Sequence, residues 1–383
     1  MSLTCASGKS LASPWSTQPL IGLVGQYSSN PALLQDAQSE TNAAVILNLP
    51  VNYDMDNFHF VATPAVRYGN ASGYSSLTSD YYHFNTSAQY ADELGSLTAT
   101  ALVNRDSSLL FAGEVENGVG VRRDTSSADV QWQRLLTERD QFQLDLYGVR
   151  TLYAQNDAQE LITSLVDYRY YTIAPAIAFA LSERSTFRVI GSVGKYEAVN
   201  GVTSSDSANL QLGFDRQLSE LWSIKTTAGY SKSTDKQKFI FDGQVLGTLE
   251  TTQNSTIYSA NLIRQGESLT LNLGASRALA PTGYAFLSRQ ENVNLHANYI
   301  YSERWTYSAS INWANNSNPL SNGGSIDSRY YYGLVSANWS WTEHWILSLR
   351  AIKAAQRYGD PAINAQSTGV SFEISRQFSR AEL

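Results

Sequence analysis

Apolar and polar residues alternate with a period of two along most of the chain. In the segment 305–313, every second residue is apolar and the residues between are small and polar; the apolar set is Trp305, Tyr307, Ala309, Ile311 and Trp313. The same alternation recurs in 209–215, 292–299 and 370–378. Successive side chains of a β-strand point to opposite faces, so the pattern predicts strands with one apolar face. A soluble β-sandwich would show the same alternation, with its polar face in water.

Short polar turns that contain an acidic residue separate many of these segments. There are eight of them, at 54–57, 92–94, 137–140, 182–185, 219–222, 266–268, 302–305 and 342–345. They lie about 41 residues apart on average, which is room for two strands of about 11 residues, a loop and a tight turn. A soluble sandwich does not need such a regular series, and the series therefore favours a barrel.

Tight turns on one side and longer loops on the other are typical of a transmembrane β-barrel. In lipid every backbone polar group must be paired within the protein, and a closed barrel achieves this without edges. Eight turns, with a strand leading in at 20–27 and one leading out at 366–378, predict about 18 strands (16–18). The predicted fold is an all-β, transmembrane, antiparallel up-and-down β-barrel over residues 20–378. Residues 1–19 are expected to form a periplasmic extension and residues 379–383 a tail.

Aromatic residues gather near the predicted strand ends. An aromatic girdle is expected beside the short turns, made of Trp222, Trp305, Trp339, Trp341 and Trp345. A second girdle is expected at the opposite ends, made of Tyr81, Tyr82, Tyr168, Tyr170 and Tyr330 to Tyr332. Trp and Tyr prefer membrane interfaces because their apolar rings carry one polar group that reaches the headgroups. The alternative is that these are ordinary core aromatics of a soluble β-protein.

Composition and charge exclude several classes of protein. The chain has 27 Lys and Arg against 34 Asp and Glu, a net charge of −7, with no basic patch, which argues against a nucleic-acid partner. Its one cysteine, Cys5, cannot form a disulfide framework or a cysteine metal site. The longest apolar run, 172–182, is about half of a spanning helix. The amino end lacks an apolar signal-peptide stretch, so an exported protein would be in its processed form.

Both ends of the predicted barrel resemble bacterial outer-membrane proteins. In the segment 367–374, a polar residue, Gly369 and later hydrophobic residues resemble the carboxy-terminal assembly signal of outer-membrane β-barrels; Phe378 stands for the usual terminal aromatic, although residues 379–383 follow it. The opening phrase 25–31 (GQYSSNP) and the strand number resemble porin-type barrels associated with exopolysaccharide secretion. The resemblance implies localisation in the outer membrane of a Gram-negative bacterium, with outer-membrane lipid around the barrel.

A barrel of this size is wide enough to leave an aqueous lumen. The alternation predicts a lumen with sparse, mixed charge among amides and hydroxyls, which suits neutral or weakly charged sugars better than ions. A merely solvated interior is the alternative. The predicted lumen-lining residues are His59, Arg67, His83, Asp129, Gln131, Gln133, Asp145, Arg188, Asn209, Gln211, Asp215, Lys225, Asn294, His296, Arg350 and Glu373.

The third long loop, near 105–124, combines apolar, acidic and basic residues. The members expected to form a constriction are Leu109, Leu110, Phe111, Glu114, Glu116, Arg122 and Arg123. The third loop of general and sugar porins, which this loop resembles in position and length, folds into the pore. The alternative is a small hairpin outside the barrel. The sixth loop, 231–253, contains the hairpin signal Asp242-Gly243 and is expected to extend the wall outward.

No pattern typical of an enzyme is found. Of the four histidines, His59, His83, His296 and His344, only the first two are expected on adjacent strands, and neither belongs to a nucleophile motif. Phosphate-loop, zinc-protease and calcium-loop motifs are absent from the sequence. We therefore expect a protein without catalytic activity, cofactor or metal.

Three functions remain open. The resemblance favours a channel for exopolysaccharide export with a gated lumen, a polysaccharide or oligosaccharide as cargo, and a periplasmic export component as a partner. The alternative is a passive sugar-selective or general diffusion porin. A surface adhesion or structural barrel is the second alternative.

Overall fold

The computed structural model describes residues 14–31, 33, 35–70, 80–107, 121–154, 165–241, 244–319, 325–358, 363–379 and 381–382. Across these residues the regular structure is β-strand, and all strands join one antiparallel sheet. No helix in these ranges is long and apolar enough to span a bilayer.

The strands follow one another along the chain as successive neighbours in the sheet. They are β1 (Trp15–Thr17), β2 (Leu20–Ser28), β3 (Glu40–Asn48), β4 (Val51–Met55), β5 (Phe58–Asn70), β6 (Tyr81–Asp92), β7 (Gly95–Ser107), β8 (Arg122–Leu135), β9 (Asp140–Tyr153), β10 (Tyr168–Ser182), β11 (Ser185–Ala198), β12 (Thr203–Gln217), β13 (Trp222–Phe241), β14 (Gln244–Gln265), β15 (Leu269–Pro281), β16 (Leu287–Ile300), β17 (Trp305–Pro319), β18 (Ser325–Ser340), β19 (Trp345–Tyr358), β20 (Ile363–Gln377) and β21 (Ala381–Glu382).

The sheet closes on itself through β2 and β20. Leu20 is opposite Gln377 on one side and Asn48 on the other, so the first long strand has no free edge. Short segments extend three of the strands: β1 continues β2, β4 continues β3 and β21 continues β20. Proline, which cannot donate to a ladder, separates β1 from β2 and β3 from β4 at Pro19 and Pro50. The predicted closed antiparallel barrel of 18 strands is confirmed.

The sheet extends past both predicted limits of the barrel. Ser16, assigned to the extension 1–19, is opposite Asn52 and Glu382, and Thr17 is opposite Ala381. Thus 15–17 and 381–382 are wall, not extension or tail. Alternation could not find them because Pro19 breaks the first strand and each segment is only two or three residues long.

All eight predicted turns lie at one end of the barrel, and hydroxyl side chains close most of them. Thr137 Oγ1 accepts hydrogen bonds from the backbone amides of Arg139 (3.1 Å) and Asp140 (3.0 Å). Ser219 and Thr342 accept the same kind of bond from the amides of Trp222 (3.2 Å) and Trp345 (3.1 Å). Such local bonds satisfy the turn backbone, which explains why the motif repeats.

The outward face of the wall is apolar and exposed. Leu210 is 61% exposed, Val335 57% and Leu23 57%, and each alternates with inward polar residues. A continuous apolar surface of this extent is costly in water and matches the hydrocarbon of a bilayer. The barrel therefore spans a membrane, with the short turns at one interface and the long loops at the other.

The hairpin of β13 and β14 rises above the rest of the rim. The two strands pair up to Phe241 and Gln244, whereas β14 pairs with β15 only as far as Tyr258. The sixth loop thus extends the wall beyond the membrane. The hairpin of β15 and β16 ends lower and is free to lean into the mouth.

Candidate functional site

The strand registers place all sixteen residues predicted for the lumen on the inward face. Directly opposed residues share a face, and the outward face of each strand is marked by its exposed apolar side chains. Asp215, for example, is opposite Lys225, while Phe214 beside it is opposite Phe187 on the outward face. The sixteen inward residues are His59, Arg67, His83, Asp129, Gln131, Gln133, Asp145, Arg188, Asn209, Gln211, Asp215, Lys225, Asn294, His296, Arg350 and Glu373. That they line a solute pathway stays a prediction.

Most inward arginines are neutralised by a nearby carboxylate. Arg188 Nη2 lies 2.8 Å from Asp215 Oδ1, and Arg350 Nη2 lies 2.7 Å from Glu373 Oε2. Arg67 instead donates to the side-chain oxygens of Gln26 (3.3 Å) and Asn42 (3.4 Å). Because opposite charges sit side by side, this part of the lining exerts little net field on a solute.

One wall carries two carboxylates without a cation. Asp129 on β8 and Asp145 on β9 face inward, and no described residue forms an ion pair with either of them. The side-chain amide of Gln143 donates to Asp145 Oδ2 at 2.9 Å. Among the inward carboxylates predicted for the lumen, these two lack the arginine partner that Asp215 and Glu373 have, so they are the anions best placed to bias the passage of ions.

Between the charges, hydroxyls and amides bond to one another across the strands. Asn209 Nδ2 donates to Ser192 Oγ (2.8 Å), and Thr227 Oγ1 donates to Gln211 Oε1 (3.1 Å). The hydroxyls of Ser308 and Ser336 are also within hydrogen-bond distance. Such groups can exchange partners with a polyhydroxylated solute at little cost, because each can donate or accept.

The histidines form no catalytic or metal constellation. His59 and His83 do lie on the adjacent strands β5 and β6, but His59 is opposite Gln89 and His83 is opposite Ala65. Six residues along a strand separate these levels, or about 20 Å. His59 Nδ1 instead lies 3.0 Å from Asp54 Oδ1, near a short turn. No group of metal-ligating side chains is found in the ranges that the structure describes.

The tip of the β15–β16 hairpin folds over the loop-side mouth. The Val166 amide donates to the Gly283 carbonyl (2.7 Å), and the buried Tyr196 hydroxyl donates to the Thr282 carbonyl (3.1 Å). Leu287, 2% exposed, packs in a cluster with Leu165 and inward residues of β9 to β11. The tip is thereby attached to strands four positions away around the barrel, and it narrows the opening.

Several tyrosines of the predicted second girdle face inward, and two of them, Tyr168 and Tyr170, belong to the cluster under the hairpin tip. Tyr81, Tyr168, Tyr170, Tyr330 and Tyr332 face inward, and only Tyr82 and Tyr331 of the expected set face outward. Tyr168 stacks on Tyr196 with ring centroids 5.3 Å apart. Neighbouring tyrosines in sequence point to opposite faces, so a run of them cannot belong to one girdle. The outward ring on this side contains instead Tyr27, Tyr68, Tyr171, Tyr230 and Tyr258.

The first long loop, which the sequence did not single out, also enters the mouth. Leu33 is 4% exposed and packs against Tyr330, Ala314 and Ala354 on the inward face. Asn30, 2% exposed, donates to the Gln366 carbonyl (3.3 Å). The short apolar run 32–34 (ALL) between polar residues shows no strand periodicity, and the sequence therefore does not predict this part of the constriction.

The predicted constriction in the third loop is tested only at its edges. Leu109, Leu110, Phe111, Glu114 and Glu116 lie outside the described residues. Arg122 and Arg123 belong to β8, and Arg123 forms an inward ion pair with Asp106 at 2.7 Å. Those two arginines are therefore parts of the wall. Val121, just before β8, is fully buried in the cluster under the hairpin tip.

A buried polar patch lies on β12 and β13, on the inward face above the Tyr230 level. Ser205 and Ser231 are 0% exposed, and Asp235 is 5% exposed. Gln253 Nε2 donates to Asp235 Oδ2 (3.2 Å). Burial raises the pKa of the Asp235 carboxyl, and the Ser205 hydroxyl opposes this only in part. Asp235 is thus a loop-side carboxyl whose charge is costly.

The tryptophans of the predicted girdle lie at the short-turn end. Trp222, Trp305, Trp339 and Trp345 face outward at strand ends, and Trp341, in a turn, is 53% exposed. Trp305 and Trp339 stack with centroids 5.8 Å apart. Trp15, Tyr53 and Phe60 add an outward aromatic group at the same end. Their amphipathic rings suit the interface there.

No family model matches the sequence, and no curated protein matches it either. Among solved structures, the ferric citrate transporter FecA in its unliganded form is similar in fold, with a TM-score of 0.50 and 10% identity over 94% of this chain and 78% of that one. Two Pseudomonas aeruginosa proteins also align: OpdO (TM-score 0.46, 9% identity, 95% and 97% covered) and OpdK (0.45, 11%, 95% and 99%).

The fold of this chain is that of the outer-membrane β-barrels. The FecA likeness, the closed barrel of 18 strands and the exposed apolar band agree on this. Barrels of this kind reside in the outer membrane of Gram-negative bacteria, and this chain is therefore an outer-membrane protein. By the same rule the short turns face the periplasm and the long loops face the exterior.

Proposed function

We propose that this protein is a passive outer-membrane channel for small hydrophilic solutes, with neutral or weakly charged sugars as the best fit. The observation that carries the proposal is the inward face: hydroxyls, amides and mutually neutralised ion pairs follow each strand around a closed wall. Such a surface replaces water around a sugar hydroxyl without strongly binding an ion.

The narrowed mouth supports selection by size. The β15–β16 tip and the Leu33 loop both occupy the exterior opening, held by hydrogen bonds and apolar contacts. A constriction at one end, with a polar lumen below it, suits a channel that filters solutes. No catalytic constellation is available to the described histidines, and we propose a non-enzymatic role.

Exopolysaccharide export, which the sequence favoured, receives no support from the compared structures; the diffusion channel fits better. Export would also require a mouth that opens for a polymer and a periplasmic partner. The attached hairpin tip is the feature through which this alternative can be tested, because a fixed constriction and a closed plug that can open would have the same structure in the closed state.

The test is single-channel conductance of the purified full chain in a planar bilayer. The conductance of the intact chain is compared with that of a variant in which 282–286 are replaced by a two-residue turn. In a second assay, liposome swelling measures the entry rates of neutral sugars and of sugar acids of similar size. A steady conductance in the intact chain, with faster entry of neutral sugars, is the expected result.

Two outcomes would overturn the proposal. A silent intact chain that conducts only after the tip is shortened would indicate a plugged, gated channel. Absence of conductance in both forms, with insertion verified by protease protection, would mean that the barrel is not a pore and would favour an adhesion or structural role.

A further inference from the structure

A groove on the lipid-facing surface of β17 to β20 combines aromatic rings with cations. Its volume is about 410 Å³, and its lining includes Trp313, Tyr331, Arg329 and Arg357. Trp313 is directly opposite Tyr331 on the outward face, at the loop-side edge of the apolar band. The groove therefore lies where the headgroups of the outer leaflet begin.

The two arginines of this groove face each other. Arg329 is directly opposite Arg357 across β18 and β19, and neither forms an ion pair with a described residue. Lys353 lies on the same outward face, four residues nearer the membrane centre. Like charges placed directly opposite destabilise a sheet. An anion bound between them would remove that cost.

The arrangement occurs a second time on the other side of the barrel. Arg150 is directly opposite Arg169 across β9 and β10, again on the outward face at the loop side. A groove of about 550 Å³ begins at Arg169, but carboxylates share it: Glu197 is directly opposite Arg169 and lies 2.6 Å from Lys195, and Asp206 lies 3.2 Å from Lys236. The second pair therefore has carboxylates beside it, whereas Arg329 and Arg357 form no ion pair with a described residue, which makes the first groove the better site for an anion.

The surface below the first groove decides which anion fits. Val335 and Leu349, 57% and 54% exposed, lie on the same outward face nearer the bilayer centre. A ligand that reaches both levels must carry phosphate or a similar group at one end and acyl chains at the other. Arginine forks bind phosphate oxygens in pairs, which a hydrated lysine does less well.

We propose that the Arg329–Arg357 groove is a binding site for a phosphorylated glycolipid of the outer leaflet. Its phosphate lies between the two guanidinium groups, the sugar to which it is attached packs on Trp313 and Tyr331, and the acyl chains lie on the apolar band. The site is on the outer wall, so it is independent of what passes through the lumen.

The test is a titration of the detergent-purified full chain with bisphosphorylated lipid A, read by native mass spectrometry. The variant is Arg329→Gln with Arg357→Gln. The matched control is Arg134→Gln with Arg216→Gln, which removes the same charge from outward, exposed arginines at the periplasmic end. We expect the groove variant to bind about tenfold more weakly than wild type and the control to bind like wild type. The affinity of Arg329→Lys with Arg357→Lys should lie between those of wild type and the Gln variant, because lysine keeps the charge but lacks the planar guanidinium that binds two phosphate oxygens.

Two further arms identify the ligand and check folding. Dephosphorylated lipid A should bind wild type as weakly as the phosphorylated form binds the Gln pair, and inorganic phosphate should not displace the lipid. Without lipid, the Gln pair should unfold at the same temperature as wild type or higher, because the opposed charges are gone. Equal lipid binding by wild type and the Gln pair would overturn the site. Displacement by inorganic phosphate, or equal binding of the dephosphorylated lipid, would overturn the assignment to a phosphorylated lipid.

Discussion

The backbone amide of Val166 donates a hydrogen bond to the carbonyl of Gly283, at 2.7 Å, although the two residues belong to different exterior loops. Val166 precedes β10, and Gly283 is at the tip between β15 and β16. The bond joins two parts of the rim that lie five strands apart. It makes the hairpin tip part of the constriction rather than a free loop, so the constriction can be altered by a change at the tip alone.

Gly283→Ala should loosen the tip. A Cβ at this position would lie 2.7 Å from the Tyr153 hydroxyl and 2.8 Å from Leu165, so the tip or these two side chains must shift and their packing is disturbed. We expect a cost of about 1–3 kcal/mol in stability and a larger single-channel conductance. Gly247→Ala is the control, because a Cβ there meets nothing within 4 Å. Unchanged conductance in Gly283→Ala would mean that the tip does not limit the pore.

Two parts of this constriction illustrate what the sequence could and could not predict. The strands and turns were predictable because alternation and hydroxyl-closed turns are local: Thr137 bonds to residues two and three positions later. Leu33 and Gly283 gave no local signal, since their partners Tyr330 and Val166 are distant in the chain. Contacts of this kind depend on the closed barrel, which alternation alone does not specify.

Odd and even positions of a strand face opposite sides, and this rule explains both why the strand faces were predictable and why the second tyrosine girdle was wrong. The face of a side chain follows from its odd or even position along the strand, and this is why Arg188, Asp215 and the other predicted residues share the inward face. Tyr330 to Tyr332 were grouped by sequence neighbourhood, although parity sends Tyr331 outward and the other two inward. Clustering in sequence is therefore a weaker guide than register in a β-barrel.

The buried carboxyl of Asp235 should make stability depend on pH. Burial raises its pKa above the ordinary value of 3.8, so the folded chain binds this proton more tightly than the unfolded chain does. The associated stability is present below the ordinary pKa and is lost as pH rises through the raised value. Asp235→Asn should therefore melt above wild type near pH 7, and the difference should shrink towards about pH 4.

Thermal melts of both forms across that range test this prediction, with Glu250→Gln as the control. Glu250 lies on the outward, exposed face of the same tall hairpin. A difference between Asp235→Asn and wild type that does not change with pH would show that the carboxyl charge is not the cause.

The inward ion pair of Arg123 and Asp106 should be far more important than the outward pair one residue away. The guanidinium of Arg123 donates to both oxygens of Asp106, at 2.8 and 2.7 Å, and the side chains are 5% and 16% exposed. Arg123→Gln leaves a buried carboxylate, and we expect a loss of about 3–5 kcal/mol. Adding Asp106→Asn should restore much of it.

The outward pair, Arg105 with Asp124, supplies the control on the same two strands. It has similar geometry, at 2.6 Å, but its side chains are 33% and 37% exposed. Arg105→Gln should therefore cost no more than about 1 kcal/mol. Urea unfolding in lipid vesicles measures the free energy of unfolding of wild type and of each variant. Equal losses at Arg123 and Arg105 would contradict the role assigned to burial.

Asp129 and Asp145 should set the ion preference of the lumen. They are inward carboxylates without an ion-pair partner among the described residues, whereas Arg188 and Arg350 are each neutralised. Arg67 and Lys225 are inward cations that also form no ion pair with a described residue, so removal of the two carboxylates makes the lining more positive and more favourable to anions. Asp129→Asn with Asp145→Asn should shift the reversal potential in a salt gradient towards anion preference, with conductance otherwise similar. Glu250→Gln with Asp140→Asn removes the same charge from outward positions and should leave the potential unchanged. If both double variants behave like wild type, the ions do not pass Asp129 and Asp145, and the solute pathway must lie elsewhere.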